Sequence, residues 1–301
     1  MALIIFLVLV FIYHQVQLQR EQAYVHPLGE MVQVKDKKMS LAVQGQGDKT
    51  LIMLAGGGTT VPILDFKTLG SQLSQHYRVV TVEKFGYGFS DDILGPRDVD
   101  TLLEETRMAL AKKGIKGPFV LLPHSMSGIQ ALRWAQKYPE EVEAIVGLDM
   151  AMPASYDEMK LNPFFLYLLS FSARGGLIRL LPGVAESDAM QHGKLSDQDK
   201  KIYRALFYRR TMNAVMVREL QAIKDSAKDV EAEPLPDVPY LLLVSNGQGT
   251  SYPKARWQQF QKDFTQQVPH AQVITYDCPH YLHNYVYLDL AKEIEDFLEE
   301  K

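Results

Sequence analysis

The stretch FVLLPHSMSGIQALRWA, residues 119–135, decides the fold of this chain. It begins with the continuous apolar run 119–122, which is typical of a strand buried on both faces. It then passes directly into helical spacing, with only small or polar residues at the junction. The junction places Ser125 on a sharp turn near the unpaired N–H groups of a helix N-terminus. This pattern indicates an exposed nucleophile, although a serine at this place also serves as a simple helix cap.

Working outward, further short apolar runs alternate with segments of helical spacing. The runs span residues 51–55, 79–82, 144–148, 240–244 and 273–276. Residues 31–44 precede them and predict a β-hairpin around Asp36-Lys37-Lys38. Continuous apolar runs with helices between them predict a parallel sheet covered on both faces. The expected fold class is therefore α/β, with a mostly parallel central sheet flanked by helices.

Residues 153–238 interrupt this alternation, because they carry helical patterns such as 162–172 and 197–229 but no strand signal. We expect them to form a helical cap over the carboxyl ends of the strands. The predicted division is an anchor at 1–20, a core at 21–152 and 239–301, and the cap at 153–238. The cap has 12 basic and 12 acidic residues, so its charge selects no charged substrate.

The overall composition excludes several classes of protein. The chain has 301 residues, 47% of them hydrophobic and 23% charged, as in an ordinary globular protein. Its net charge of -4 provides no basic surface for a phosphate backbone, so nucleic acid is not an expected partner. Its single cysteine, Cys278, has no partner in the chain for a disulfide.

The N-terminus begins with an unbroken apolar run, residues 2–13. As a helix it would extend only about 18 Å, against a hydrocarbon core of about 30 Å, and a longer span includes His14, Gln15 and Gln17. No small-residue cleavage site follows the run. We predict an uncleaved membrane anchor with the catalytic domain on the extracytoplasmic side, while a buried N-terminal helix is the alternative.

Together these segments resemble the α/β-hydrolase family. The strand, turn and helix around Ser125 look like that family's nucleophile elbow, G-x-S-x-G, but Pro123 and Ser127 replace the two glycines and Gly128 follows one position later. Residues 83–91, EKFGYGFSD, are similar to the family's D-x-x-G-x-G-x-S segment. We interpret this second segment as structural.

The resemblance implies a catalytic histidine after the last strand. Residues 276–285, YDCPHYLHNY, offer His280 and His283, and His280 stands where the family places its base. Many relatives carry the acid after the strand at 240–244, where this chain has the neutral Gln248. We therefore predict that Asp149 is the acid, as in a haloalkane dehalogenase subgroup. A buried aspartate with no catalytic role is the alternative.

The glycine-rich segment LAGGGTT, residues 54–60, follows the first core strand. Consecutive glycines let backbone N–H groups point into a pocket, as an oxyanion hole requires. By resemblance, the donors are the amides of Gly57 and Met126. We expect Gly58, Met150 and Met152 to contact the substrate, which would be a small molecule with an apolar acyl group.

The predicted function is a serine hydrolase that cleaves an ester, amide or related acyl bond through an acyl-enzyme, without a metal or organic cofactor. The replaced glycines and the missing late acid leave a catalytically inactive, membrane-tethered binding protein as an alternative. A proline-type aminopeptidase also stays open, although the proline usual in its glycine loop is absent from residues 56–58. A lyase or a cofactor-free peroxidase would use the same residues.

Overall fold

The computed structural model describes residues 1–268 and 270–300. Its eight strands form one sheet in the order β1-β2-β4-β3-β5-β6-β7-β8. The strands are β1 Glu30–Val34, β2 Lys37–Gln44, β3 Thr50–Leu54, β4 Arg78–Glu83, β5 Phe119–Pro123, β6 Val142–Leu148, β7 Tyr240–Val244 and β8 Ala271–Thr275. All six predicted core strands and the opening hairpin are present.

Strand directions confirm the mostly parallel sheet. The pairs β1–β2 and β2–β4 are antiparallel, and every other neighbouring pair is parallel. The hairpin turns at Lys35 and Asp36, slightly earlier than predicted. Lys35 adopts a φ of 56°, a left-handed conformation that the turn requires of one residue.

Helices cover both faces of the sheet. They are α1 Ala2–Glu21, α2 Pro62–Asp65, α3 Lys67–Leu73, α4 Val99–Lys112, α5 Ser127–Lys137, α6 Ser155–Glu158, α7 Pro163–Arg174, α8 Asp188–Gln191, α9 Asp197–Arg210, α10 Ala214–Glu231, α11 Lys254–Thr265, α12 Leu282–Tyr285 and α13 Tyr287–Glu299. Short 3₁₀ helices lie at Gln22–Tyr24, Pro139–Glu141 and Leu177–Leu180.

Residues of the central strands alternate between two hydrophobic cores. In β5, Phe119 and Leu121 pack in one core with helices α4, α5 and α11, whereas Val120 and Leu122 pack in the other with α3 and α13. Both sides of such a strand need apolar residues, which explains the continuous apolar runs. The result is a three-layer α/β sandwich.

Between β6 and β7 the chain contains helices α6 to α10 and no strand within the described residues. The helical pattern predicted at 197–229 is two helices rather than one. Met212 has a φ of 51°, and the Asn213 side-chain oxygen accepts the N–H groups of Val215 and Met216, both at 2.9 Å, to begin α10. The Asn213 amide also donates to the Gly86 carbonyl at 2.6 Å. The cap as a separate unit stays a prediction.

Helix α1 lies mainly on the outside of the protein. Only Val10 and His14 are buried, so the alternative of a buried N-terminal helix does not hold. Within the described residues, Ala2–Tyr24 is the one helical segment long and apolar enough to cross a membrane. An N-terminal signal sequence has the same properties.

A buried ion pair joins helix α10 to the loop after β4. Lys84, directly after β4, contacts Glu219 on α10, and the side chains are 6% and 1% exposed. Burial lowers the pKa of Lys84, and the Glu219 carboxylate opposes that change. The Lys84 ammonium also lies 4.5 Å from the centre of the Tyr87 ring. The pair fixes α10 against the loop that follows β4.

We expect Glu219→Ala to lower the free energy of unfolding by about 3–5 kcal/mol, because it leaves the Lys84 ammonium buried without its partner. Urea denaturation followed by circular dichroism would measure the change. Asp225→Ala on the same helix is the matched control, since the Asp225–Lys228 pair is exposed and should matter little. Equal effects of the two substitutions would contradict the prediction.

Candidate active site

Ser125 stands in a strained turn between β5 and α5. Its φ is 54°, a conformation that residues other than glycine rarely adopt. Its carbonyl accepts the Gly128 N–H at 3.0 Å and the Ala151 N–H at 2.9 Å. Surrounding structure must hold such a conformation in place, and strain of this kind is common at functional sites.

The replaced glycines of the elbow have physical substitutes. The Ser127 hydroxyl lies 2.6 Å from the Leu54 carbonyl oxygen, which ties the turn to β3. A Cβ atom on Gly128 would lie 2.7 Å from the Ala151 carbonyl oxygen, so the close approach has moved one position along the helix. A Cβ atom on Gly56 would lie 2.8 Å from the Ser125 Cβ. Glycine is therefore needed at Gly56 and Gly128.

The structure brings Asp149 and His280 together. Asp149 Oδ2 accepts from His280 Nδ1 at 2.5 Å and from the Ser245 hydroxyl at 2.6 Å. Its Oδ1 accepts from the Ser245 N–H and from Trp257 Nε1, both at 2.8 Å. Asp149 is fully buried, and these four donors replace the water that its carboxylate loses. With its Nδ1 proton directed to Asp149, His280 presents Nε2 to the cavity.

The other candidates for base and acid lie elsewhere. His283 is buried, and its Nε2 lies 2.8 Å from Asp65 Oδ2 on α2, so it packs in the interior. Gln248 has an exposed side chain, whereas its carbonyl accepts the His280 N–H at 2.8 Å. Gln248 therefore supports the histidine loop through its backbone.

Ser125 and His280 line the same cavity, which has a volume of about 220 Å³. Among the hydrogen bonds of the described residues, none joins the Ser125 hydroxyl to His280. The structure therefore joins Asp149 to His280 and places Ser125 in the same cavity, without a hydrogen bond between Ser125 and His280. Apart from Gly57, the remaining lining residues are Ala151, Ser155, Tyr156, Met159, Gly249, Thr250, Ser251, Tyr252, Trp257 and Tyr281.

The glycine loop reaches this cavity through Gly57. Within the described part of the chain, the amides of Gly57 and Met126 donate to no protein acceptor, and Met126 caps the N-terminus of α5. The Gly58 amide instead donates to the Tyr87 hydroxyl at 3.3 Å. Two free amides thus remain near Ser125, and their role as an oxyanion hole stays a prediction.

The predicted substrate contacts do not all reach the cavity. Met150 and Met152 are each 1% exposed, pack in the hydrophobic core and do not line it, and neither does Gly58. Asp149 has a φ of 48°, and after this bend Ala151 lines the cavity. The closeness of Met150 and Met152 to Asp149 in the sequence therefore did not predict where their side chains point.

Trp257 is a site residue that the sequence did not indicate. Its ring lies edge-on to His280, with 5.6 Å between ring centroids and an angle of 90°. With its hydrogen bond from Nε1 to Asp149, Trp257 therefore contacts both His280 and Asp149. Trp257 and Ser245 come from α11 and the end of β7, and only the fold brings them to Asp149. The sequence signal that could have drawn notice to Trp257 was its rarity, because the chain has two tryptophans.

Comparison with known proteins decides the family. A sequence model described as the alpha/beta hydrolase fold matches residues 49–285. The chain belongs to the α/β-hydrolase family. This confirms the predicted family, fold class and hydrolase type of enzyme.

Several relatives of this α/β-hydrolase are known. It is 37% identical over 244 residues to the uncharacterized protein YbdG of Bacillus subtilis (strain 168), covering 78% of this chain and 74% of that protein. It is 32% identical over 103 residues to a pimeloyl-[acyl-carrier protein] methyl ester esterase of Aliivibrio fischeri (strain MJ11), covering 34% of this chain and 37% of that one. The solved Bacillus megaterium epoxide hydrolase has a TM-score of 0.70 at 16% identity, covering 90% and 100% of the two chains.

The loop after β4 supports the glycine loop of this α/β-hydrolase. The buried Glu83 carboxylate accepts the Phe89 N–H at 2.9 Å and the Ile63 N–H at 3.3 Å. The Gly88 N–H donates to the Thr60 carbonyl at 2.9 Å. A Cβ atom on Gly88 would lie 2.0 Å from a Glu83 carboxylate oxygen, so this glycine is required. Burial raises the pKa of Glu83 to about 7.

The pKa of Glu83 predicts a pH dependence of stability. A raised carboxyl pKa gives a stabilising contribution that is complete below pH 4.5 and is lost as the pH rises to about 7. We expect Glu83→Gln to remove this loss. Between these limits the unfolding free energy of wild type should fall by about 3 kcal/mol relative to the variant.

Urea denaturation of both proteins at a series of pH values would measure the difference. Burial lowers the pKa of His124 well below its ordinary value. This histidine therefore makes the unfolding free energy rise with pH, which is opposite to the effect of Glu83. That effect is common to both proteins and cancels in the comparison. Parallel pH profiles of wild type and variant would refute the prediction.

Proposed function

We propose that this protein is a serine hydrolase that cleaves an ester, amide or related acyl bond through Ser125, His280 and Asp149. The observation that carries the proposal is the buried Asp149–His280 hydrogen bond, 2.5 Å long, beside a cavity that also contains Ser125. A fully buried carboxylate that orients an imidazole towards a serine is the arrangement that serine nucleophiles use.

In the proposed mechanism, His280 Nε2 removes the Ser125 proton as the serine oxygen attacks the substrate carbonyl carbon. This step requires a hydrogen bond between the Ser125 hydroxyl and His280 Nε2. Asp149 fixes the histidine tautomer and stabilises the imidazolium. The amides of Gly57 and Met126 would stabilise the oxyanion, and loss of one such donor typically costs about 10²–10³ in rate. The tetrahedral intermediate then collapses as His280 gives its proton to the leaving alcohol or amine, which leaves the acyl group on Ser125. Water, deprotonated by His280, attacks the acyl carbon, and collapse of this second intermediate releases the carboxylic acid while His280 returns the proton to Ser125.

The cavity lining supports a small acyl substrate. Tyr156, Met159, Tyr252 and Trp257 provide apolar surface, and Thr250 adds a hydroxyl. Among the described residues no Asp or Glu lines the cavity. An aminopeptidase would need a carboxylate to pair with the α-ammonium group of its substrate, so this observation favours an ester or amide without that group.

We also propose that α1 anchors the protein to a membrane. Support comes from its length, its apolar composition and the exposure of nearly all its side chains. Placement of the catalytic domain on the extracytoplasmic side remains a prediction.

The proposed nucleophile and acid can be tested on a panel of p-nitrophenyl esters and aminoacyl anilides. We expect Ser125→Ala to abolish turnover and labelling by a fluorophosphonate. We expect Asp149→Asn to lower kcat by about 10⁴, because the amide favours the wrong histidine tautomer. Ester turnover should exceed anilide turnover.

Two matched substitutions control for nonspecific effects. Ser251→Ala changes another serine that lines the cavity, and Asp277→Asn changes an exposed aspartate near the histidine loop. Both should retain wild-type activity within a few-fold. Turnover that survives Ser125→Ala would reject the nucleophile, and a wild-type protein that neither turns over substrate nor reacts with the fluorophosphonate would favour the binding protein.

A further inference from the structure

Cap helix α7 presents an apolar face to the outside of the protein. Only Leu166 and Ala173 of this helix are buried. Single exposed apolar residues are ordinary, but a contiguous exposed patch marks an interaction surface. We call this patch the α7 face, and it consists of Phe164, Phe165, Tyr167, Leu168, Leu169 and Phe171.

The end of α7 leads directly to the contact between the cap and α1. A Cβ atom on Gly176, just past α7, would lie 2.4 Å from the His14 Cβ, so the two backbones are close. Arg179 donates to His14 Nδ1 at 2.8 Å and makes two bonds of 2.7 Å to the Glu21 carboxylate. Arg209 donates to the Leu18 carbonyl. The second part of α1 is therefore fixed to the cap.

The length of the remaining part of α1 determines where a bilayer would meet the cap. Residues 2–9 precede the first buried position, Val10, and as a helix they extend about 12 Å. This is less than the hydrocarbon thickness of about 30 Å. A bilayer that receives these residues must therefore have its surface at the cap, because the helix has no free segment to act as a spacer.

The charge and the composition of α7 also suit contact with a membrane surface. The helix contains no Asp or Glu, and exposed basic residues, Lys160 and Arg174, flank its apolar part. Arg20 is exposed near the end of α1. Among nearby acids, Glu158 is paired with Arg256. An apolar helix face with basic residues at its ends is typical of a helix that lies in the interface of an anionic membrane.

We propose that the α7 face lies in the headgroup region of a phospholipid bilayer and that the cap docks on the membrane beside α1. The catalytic cavity adjoins this helix, since Met159 lines the cavity and Asn162 caps the start of α7. If the proposed hydrolase function holds, the substrates are acyl compounds dissolved in the bilayer that enter past α7.

The first test measures the depth of single nitroxide labels on the full chain in vesicles of phosphatidylcholine and phosphatidylglycerol. Labels would be attached at Phe165→Cys on the α7 face, at Leu9→Cys on α1, and at Leu288→Cys on α13 as the control. These native side chains are 55%, 60% and 59% exposed. Burial raises the pKa of the native Cys278 thiol to about 11, so it should stay unlabelled, and the unsubstituted protein provides the blank.

We expect the labels at positions 165 and 9 to be accessible to oxygen and protected from a water-soluble nickel complex, and the label at 288 to show the reverse. The proposal would be overturned if the label at 165 were as accessible to the nickel complex as the label at 288, whether or not position 9 inserts into the bilayer. Protection of position 165 without vesicles, together with a dimeric mass, would also overturn it, because a second copy would then cover the α7 face.

The second test separates docking from catalysis. We expect the double variant Phe165→Ser, Phe171→Ser to hydrolyse soluble p-nitrophenyl acetate within twofold of wild type, but a long-chain ester in vesicles at least tenfold more slowly. Leu288→Ser should match wild type on both. Equal loss on both esters, or no loss on either, would contradict docking through α7. Failure of the proposed hydrolase function would appear as no turnover of either ester by wild type, and the label depths would still report on docking.

Discussion

The hydrogen-bonded carboxylate of Asp149 is the constraint on which the arrangement of this site depends. Its four donors come from three separate segments: Ser245 after β7, Trp257 on α11, and His280 in the loop after β8. A buried carboxylate tolerates no loss of such partners without a large cost. The segments that supply these donors are therefore held in one relative position, and the orientation of the histidine ring follows from that position.

Parallel strands make this convergence possible. The carboxyl ends of β3, β5, β6, β7 and β8 lie along one edge of the sheet, so loops distant in sequence meet there. Asp149 follows β6 directly, and its left-handed backbone sends the chain back to Ser125, whose carbonyl accepts the Ala151 N–H. Ser125 and Asp149 thus follow neighbouring strands, β5 and β6, and have a direct backbone connection. An acid drawn from β6 is compatible with the same histidine position.

Much of this organisation could be predicted from the sequence because it depends on local patterns. Continuous apolar runs predicted the strands, and the strand-to-helix junction predicted the sharp turn at Ser125. The neutral Gln248 favoured Asp149 as the partner of His280, and the two side chains are in contact, while their catalytic roles stay predictions. Features that depend on three-dimensional packing could not be predicted in this way. The Asn213 side chain bonds to the distant Gly86 carbonyl, and the contribution of Trp257 depends on the orientation of α11.

The two methionines after Asp149 show a related limit. A site residue predicted from its neighbours in sequence must also point towards the site, and side-chain direction depends on backbone conformation. The positive φ of Asp149 was not evident from the sequence. Because the chain bends there, Ala151 rather than Met150 or Met152 lines the cavity that contains Ser125. In the elbow, by contrast, the same requirement for close backbone approach is met by Gly128 in place of residue 127, a shift of one position that was visible in the sequence.

The helices between β6 and β7 satisfy opposite physical requirements on their two sides. Towards the core, α10 places Glu219 against Lys84 in a buried ion pair, and the nearby Tyr87 hydroxyl accepts the Gly58 N–H of the glycine loop. Towards the outside, α7 exposes aromatic and aliphatic side chains, and Phe164 is the most exposed of them at 74%. Tyr167 and Gln221 join these two helices through a hydrogen bond of 3.0 Å. The Lys84–Glu219 pair holds α10 against the loop after β4, whereas the apolar residues of α7 are left exposed, and docking on a bilayer would cover them.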